Sequence, residues 1–216
     1  LIEPDELLGV LNKQKGKIIV TSGPTYEEID DVKVVTNKSS GKQGKALAIE
    51  LSARGYEIIY IHSASIDHIP GLDNVSFHSS NDLKNKILEN INNTDAIFMT
   101  AAVSDFTVKK SSGKISRSNG NITLEFIPNE DIIASIKTSY PEIKCIAFSA
   151  QVDDELNFNK INTKNVDYLV INNILKNKFG SDTNKVSIID QQHLIFESEE
   201  LDKNEISRDI LNALEY

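Results

Sequence analysis

The sequence predicts an α/β fold, a mostly parallel sheet flanked by helices, and three observations predict it. Short β-rich runs alternate with longer runs of helical period from Lys17 onward. The first β-rich run stops in Gly23-Pro24-Thr25, and a weakly glycine-rich turn, Ser39-Ser40-Gly41-Lys42-Gln43-Gly44, opens the first helical run. Strand, helix, strand in this order is what a parallel sheet with crossover helices requires. A chain of 216 residues, 39% hydrophobic and 25% charged, holds enough apolar material for one sizeable core, so one domain is expected.

The elements follow in order. Residues 4 to 12 read as a short capped helix ahead of a polar linker, so residues 1–15 are taken as a tail and 16–216 as the domain proper. Lys17 to Ser22 is the first strand, and loops at its carboxyl end are where a site is expected. From Ser40 the apolar positions Ala46, Leu47, Ile49, Leu51 and Ala53 share one helical face, with Gly55 as the stop. Ser39 and Ser40 are placed to cap this helix, Gly41 and Gly44 to let backbone approach a ligand, and the unpaired N–H groups of its first turn to favour an anion. Glu57 to His62 is a second strand, Asn81 to Ile91 a helix and Asp95 to Thr100 a third, buried strand. The stretch from Ala101 to Arg117 has no period and reads as a mobile loop. Beyond it come a strand at Asn121 to Ile127, a helix at Asp131 to Thr138, a strand at Lys144 to Ser149, a helix at Leu156 to Thr163 and a strand at Val166 to Ile171. Two short strands, Val186 to Ile189 and His193 to Phe196, and an amphipathic helix from Asp202 to Leu214 finish the chain.

Composition narrows the function. A formal net charge of -9 argues against nonspecific nucleic-acid binding, which needs a basic face. The single cysteine forms no internal disulfide, no apolar run approaches the roughly 20 residues of a membrane span, and no signal peptide is visible, so a cytoplasmic protein with no membrane partner is expected. The chain opens at Leu1 without a methionine, as expected of a piece of a longer protein or a processed chain.

The patterns that carry chemistry are individually weak. The glycine turn matches neither phosphate fingerprint fully: serine stands for the first glycine of GxGxxG, and Gly-Lys is not followed by Ser or Thr. A dinucleotide enzyme also wants an acid after the second strand, where His62, Ser63 and Ala64 stand. Tyr140 and Lys144 have the Tyr-x-x-x-Lys spacing of a dehydrogenase pair, but Pro141 between them breaks the helix such a pair needs. His62, His68, His78 and His193 lack metal-ligand spacing, and Cys145 reads as a core thiol. The basic residues say more. Lys109, Lys110, Lys114 and Arg117 cluster in one loop of an acidic chain, and Lys160 and Lys164 lie one helical turn apart, which with an anion-ready helix start suggests a polyphosphate ligand.

Taken together, Gly23-Pro24-Thr25, Thr36-Asn37-Lys38-Ser39-Ser40-Gly41-Lys42, Ala101-Ala102-Val103-Ser104-Asp105-Phe106, Lys114-Ile115-Ser116-Arg117, Lys160-x-x-x-Lys164-Asn165-x-Asp167 and Phe179-Gly180-Ser181-Asp182-Thr183-Asn184 resemble phosphopantothenoylcysteine synthetase, an enzyme of coenzyme A biosynthesis. The resemblance covers residues 16 to 215, and the first dozen residues look like the tail of a phosphopantothenoylcysteine decarboxylase domain to which such synthetases are fused. It implies a Rossmann-like fold with a small β flap and a mobile loop, a homodimer, and the joining of 4'-phosphopantothenate to L-cysteine at the expense of CTP or ATP with Mg2+. A carboxylate is a poor acylating agent, so it first attacks the nucleotide α-phosphate, giving an acyl-nucleotide (an acyl-cytidylate with CTP) and pyrophosphate. The amine then displaces the nucleotide monophosphate.

By the same resemblance Asn37 positions the acyl-nucleotide for the amine, and Lys114 reaches the triphosphate from a closing loop. Met99, Thr100, Ala101, Asp131, Ile132, Ile133, Phe148, Lys160 and Lys164 line the nucleotide pocket, and Asp105 lies near ribose or the Mg-triphosphate, where it serves the metal. Gly23, Ser39, Ser40, Gly41 and Gly44 face substrate phosphate. The chain departs from the family where Lys-x-Lys-Lys is Lys-Ile-Ser-Arg, where Asn-Pro-Asp is Asn129-Glu130-Asp131, and where Gly-Phe-x-x-Glu-Thr is Ala147-Phe148-Ser149-Ala150-Gln151-Val152. These departures touch the choice of nucleotide more than the reaction. Two alternatives stay open on the residues: a Rossmann-like NAD(P)-dependent oxidoreductase, and a non-catalytic regulatory subunit of the same fold.

Overall fold

A computed structural model describes residues 15–152, 156, 158–173, 175 and 180–216; the helix expected at residues 4 to 12 lies outside them. Eight strands form one sheet. In spatial order they are β13 (Leu194–Glu197), β12 (Val186–Ile189), β10 (Tyr168–Asn173), β9 (Lys144–Gln151), β6 (Ala96–Met99), β1 (Lys17–Ser22), β4 (Glu57–Ser63) and β5 (Asp73–Phe77). The six from β10 to β5 run parallel, and β12 and β13 add an antiparallel edge. The central strands are buried on both faces and alternate accordingly: Ile18, Val20, Ile58, Tyr60, Ala96 and Phe98 face one side, Ile19, Ile59, Ile61, Ile97 and Met99 the other.

Helices cover both faces. On the first, α1 (Lys42–Ala53) and α5 (Lys203–Ala213) bring Leu47, Leu51, Ile206 and Ile210. On the second, α2 (Ser80–Asn90), α3 (Ile132–Ser139) and α4 (Phe158–Lys164) bring Leu83, Ile87, Ile133, Ile136 and Ile161. The helix boundaries follow their caps. Ser79 accepts from Asp82 N–H at α2, Asp131 from Ala134 N–H at α3, and Asp202 with Glu205 closes a reciprocal capping box at α5. No helix among the described residues is long and apolar enough to cross a membrane.

Three expectations are corrected. Neither Ser39 nor Ser40 caps α1: Gly41 stands at the N-cap in the left-handed region, φ 70, with no side-chain cap, because the close approach of Ser22 and Ile66 leaves room for no side chain there. The aperiodic stretch after β6 contains a strand, β7 (Phe106–Val108), paired antiparallel with β8 (Phe126–Pro128), which starts later than the predicted Asn121. Finally, β5 and the small pairs β2 (Tyr26–Glu28) with β3 (Val34–Thr36) and β11 (Thr183–Asn184) with β14 (Leu201–Asp202) are additions to the predicted list. Their strands have two to five residues and little apolar alternation, so local pattern does not reveal them.

Candidate active site

Strand order reverses between β1 and β6, since β1 leads through α1 to β4 on one side and β6 leads on to β9 on the other. Loops diverge at such a point and leave a crevice outside the carboxyl ends of the strands. The crevice here is a cavity of about 680 Å³.

Its floor is held by side chains turned onto backbone. Thr21 Oγ1 donates to Met99 Sδ at 3.2 Å and accepts from Ala101 N–H at 3.1 Å, and Thr100 Oγ1 donates to the Thr21 carbonyl. Ser22 Oγ donates to the Gly41 carbonyl at 2.8 Å, fixing the entry into α1. Gly44 completes the fit, because an added Cβ would meet Ser22 Oγ at 2.7 Å and Thr100 Oγ1 nearer still. A glycine there lets the helix start press against the strand ends.

Above this floor Asn37 spans to the loop after β6. Its Nδ2 donates to the carbonyls of Ala102 and Val103, both at 3.1 Å. Two carbonyl partners fix which end of the amide is nitrogen, and Oδ1 stays available as an acceptor on a residue that lines the cavity. The neighbouring wall is set by Asn129, whose N–H donates to the Asp105 carbonyl at 2.8 Å and whose Nδ2 donates to the Ser104 carbonyl at 2.9 Å.

Beyond Asn129 the wall turns apolar and then basic. Ile132, Ile133 and Phe148 line it together with Lys160 and Lys164. Lys164 pairs with Asp131 at 2.5 Å, Lys160 donates to Ser149 Oγ at 2.7 Å, and Glu130 is tied to Lys84 of α2 at 2.6 Å. That ammonium, with a bond from Ser135, holds the Glu130 carboxyl below the usual carboxylate range. At the opposite end Lys42 donates to the Gly180 carbonyl at 3.0 Å and to Asp182 at 2.6 Å, which lowers the Asp182 carboxyl, and Lys203 donates to the Ser181 carbonyl.

The structure thus gathers Asn37, Ser39, Ser40, Gly41, Gly44, Met99, Thr100, Ala101, Asp105, Asp131, Ile132, Ile133, Phe148, Lys160 and Lys164 around one cavity. Two expected site residues do not line it. Gly23, φ 87, lies beneath the floor against Ile66 and Ser63, its carbonyl accepting from Ala102 N–H at 2.9 Å. Lys114 is exposed on a loop drawn to the β2–β3 turn, where Asp30 accepts from Ile115 N–H at 2.8 Å and Asp31 from Gly113 N–H at 3.1 Å. Lys42, Lys203, Asn129 and Asn184 line the cavity without having been singled out from sequence as site residues. The Gly180–Asn184 motif and the capping Asp202 just before Lys203 were the available signals. Tyr140 and Lys144 share no helix: Tyr140 ends α3, and Lys144 opens β9 with its ammonium over the Tyr168 and Tyr216 rings.

Residues 13–216 match the family described as DNA/pantothenate metabolism flavoprotein C-terminal domain. The chain belongs to this family. Members of the flavoprotein C-terminal domain family and larger proteins that contain it are similar along most of its length. The coenzyme A biosynthesis bifunctional protein CoaBC of Bacillus subtilis is 32% identical over 231 residues, covering 99% of this chain and 57% of the relative. A cysteine/cysteine sulfinic acid decarboxylase from an unknown prokaryotic organism is 31% identical over 211 residues, covering 92% and 57%. The chain therefore spans little more than half the length of these relatives. Among solved structures, the C-terminal domain of a CoaBC protein superimposes with a TM-score of 0.74 at 29% identity, covering 94% of this chain and 96% of that one. A family structure from Streptococcus pneumoniae shares the fold at TM-score 0.78 and 23% identity, covering 93% and 98%.

Proposed function

We propose that this chain is a phosphopantothenoylcysteine synthetase domain that ligates 4'-phosphopantothenate to L-cysteine through an acyl-nucleotide. The observation that carries the reading is Asn37. Its amide nitrogen is engaged by two carbonyls of the β6 loop, so the side chain is held in place in the cavity lining with its oxygen available as an acceptor for the acyl-nucleotide step. A fixed acceptor suits the second step, in which an amine must lose a proton and be aimed at an acyl carbon. The oxidoreductase alternative is disfavoured by the separation of Tyr140 from Lys144 and by the absence of an acid at His62 to Ala64.

In the first step the substrate carboxylate bonds the α-phosphorus and pyrophosphate leaves. In the second the cysteine nitrogen bonds the acyl carbon, the acyl–oxygen bond to phosphate breaks, and the nucleotide monophosphate departs. Phe148, Ile132 and Ile133 offer a surface for the base, Lys160 and Lys164 for phosphate. Among the described residues no group of three or more His, Cys, Asp or Glu side chains converges as a metal site. Mg2+ therefore fits as a partner of the triphosphate, with Asp105 the proposed protein carboxylate, since Mg2+ takes few protein ligands beside phosphate and water. Its chemistry there is to offset charge on the phosphates.

CTP is favoured over ATP by likeness to the bacterial bifunctional proteins, which also supports fusion to an upstream decarboxylase domain and a cytoplasmic setting. Phe106 and Phe126, edge-to-face on the exposed β7–β8 hairpin, offer apolar surface for the proposed homodimer. For Lys114 to serve the triphosphate, its loop must leave Asp30 and Asp31. The deciding experiment measures pyrophosphate release and amide formation with 4'-phosphopantothenate, cysteine and each nucleoside triphosphate in turn. Release with CTP that depends on 4'-phosphopantothenate is expected; none with any triphosphate would sink the reading in favour of a non-catalytic subunit.

A further inference from the structure

The Gly180–Asn184 turn has no assigned role, yet two lysines from different helices converge on it at one end of the cavity. Lys42 opens α1 and Lys203 opens α5, and both helices lie on the sheet face opposite α4, which carries Lys160 and Lys164. Lys42 reaches the Gly180 carbonyl and Lys203 the Ser181 carbonyl, so successive residues of the turn hold the two ammonium groups side by side. The turn is itself braced: Asn184, buried, donates to Gln43 Oε1 at 3.4 Å, and Gln43 donates to Ser207 of α5 at 2.9 Å. Among the described residues the pair has one carboxylate partner, Asp182, whose side chain is 86% exposed. Burial, and then the neighbouring Lys42 charge, lower the Lys203 ammonium below its ordinary value, while Asp182 works against them.

We propose that Lys42 and Lys203, braced by the Gly180–Asn184 turn, form a second anion subsite that takes a phosphate group of the substrates and displaces Asp182 from Lys42. Paired ammonium groups on a fixed turn suit a phosphate dianion or the terminal phosphates of a polyphosphate. An exposed carboxylate suits a placeholder, because it returns to water at small cost. The subsite deepens the ligation reading, which determines only whether the arriving phosphate belongs to the nucleotide or to the acid substrate.

The test is equilibrium binding without turnover, so it does not depend on ligase activity. Wild-type protein is titrated with inorganic pyrophosphate, with 4'-phosphopantothenate and with pantothenate as the phosphate-free control. Lys42→Gln and Lys203→Gln should each weaken a phosphate-bearing ligand by about tenfold, as loss of one charge-assisted contact implies. Lys86→Gln, on the far face of α2, should change nothing. Asp182→Asn should tighten the same ligand about two- to threefold. Weakening confined to pyrophosphate assigns the nucleotide's phosphates; weakening confined to 4'-phosphopantothenate, with pantothenate unmoved, assigns the phosphomonoester. Unchanged affinity for both ligands in lysine variants that keep the wild-type melting temperature overturns the proposal.

Discussion

The role proposed for Asn37 rests on a division between its two amide atoms. The nitrogen is fixed by the Ala102 and Val103 carbonyls, which leaves the oxygen available as an acceptor on a residue of the cavity wall. Asn37→Asp keeps the shape but sets an anionic oxygen against those carbonyls, so the side chain loses its anchor and its aim. The expected outcome is pyrophosphate release near the wild-type rate with amide synthesis down by about a hundredfold, some 2.7 kcal/mol in the second step. Rapid-quench separation of acyl-nucleotide from amide checks it, and equal loss in both steps would refute the assignment. This residue was legible in sequence only by its company, since an asparagine before Ser-Ser-Gly has no period or charge of its own to announce it. Lys42 and Lys203 were less legible still, because one lay in a motif read as a helix start and the other only in an amphipathic helix, and the fold brings them to one turn.

At the scale of elements, the loop bearing Lys114 is more tied down than its composition suggests. Asp30, buried in the β2–β3 turn, accepts from Val32, Lys33 and Ile115 N–H groups and pairs with the Lys33 ammonium, while Lys110 bridges Glu28 and Asp31. The Lys33 contact, with those backbone bonds, holds the Asp30 carboxyl well below the usual carboxylate range against the opposing effect of burial. A carboxyl depressed in the folded state contributes stability at pH above its ordinary value and loses it as pH falls below. The loop is therefore expected to stay latched at neutral pH and to loosen below about pH 4. Asp30→Asn should reproduce the loosening at pH 7, seen as faster amide exchange over residues 111–117 with the exchange of β1 and β6 unchanged. Composition could not show this latch, because its partners lie in β2–β3, whose three-residue strands carry no alternating apolar signal. Helices and the buried central strands were legible because their burial imprints a period; the edge strand β5 and the small two-stranded pairs show through pairing alone.

For the whole molecule the same logic explains why the core was predictable and its inert residues were too. The sheet is buried on both faces by α1 and α5 and by α2, α3 and α4, so nearly every central strand residue is apolar. Cys145 sits in that interior at β9, fully buried, and burial pushes its thiol up to about 12. Native protein should resist aromatic disulfide reagents at neutral pH and react with one equivalent only in denaturant. Labelling of the native state would mean that β9 opens on its own.

The position of the cavity at the reversal of strand order has one more effect. Its walls come from the first turn of α1, the end of β6, the start of α3, the face of α4 and the entry to α5, so the two halves of the chain each supply only part of a binding surface. The second half carries the surfaces of β6, α3 and α4 and the first half closes over them with the start of α1, so the complete surface exists only when both have docked across the β1–β6 seam. A ligand that touches both halves, at about a hundred times its dissociation constant, would then add about 2.7 kcal/mol to the stability of the intact sheet. Such a ligand would act as a clamp on the seam, tying the cooperativity between the halves of the fold to what occupies the space between them.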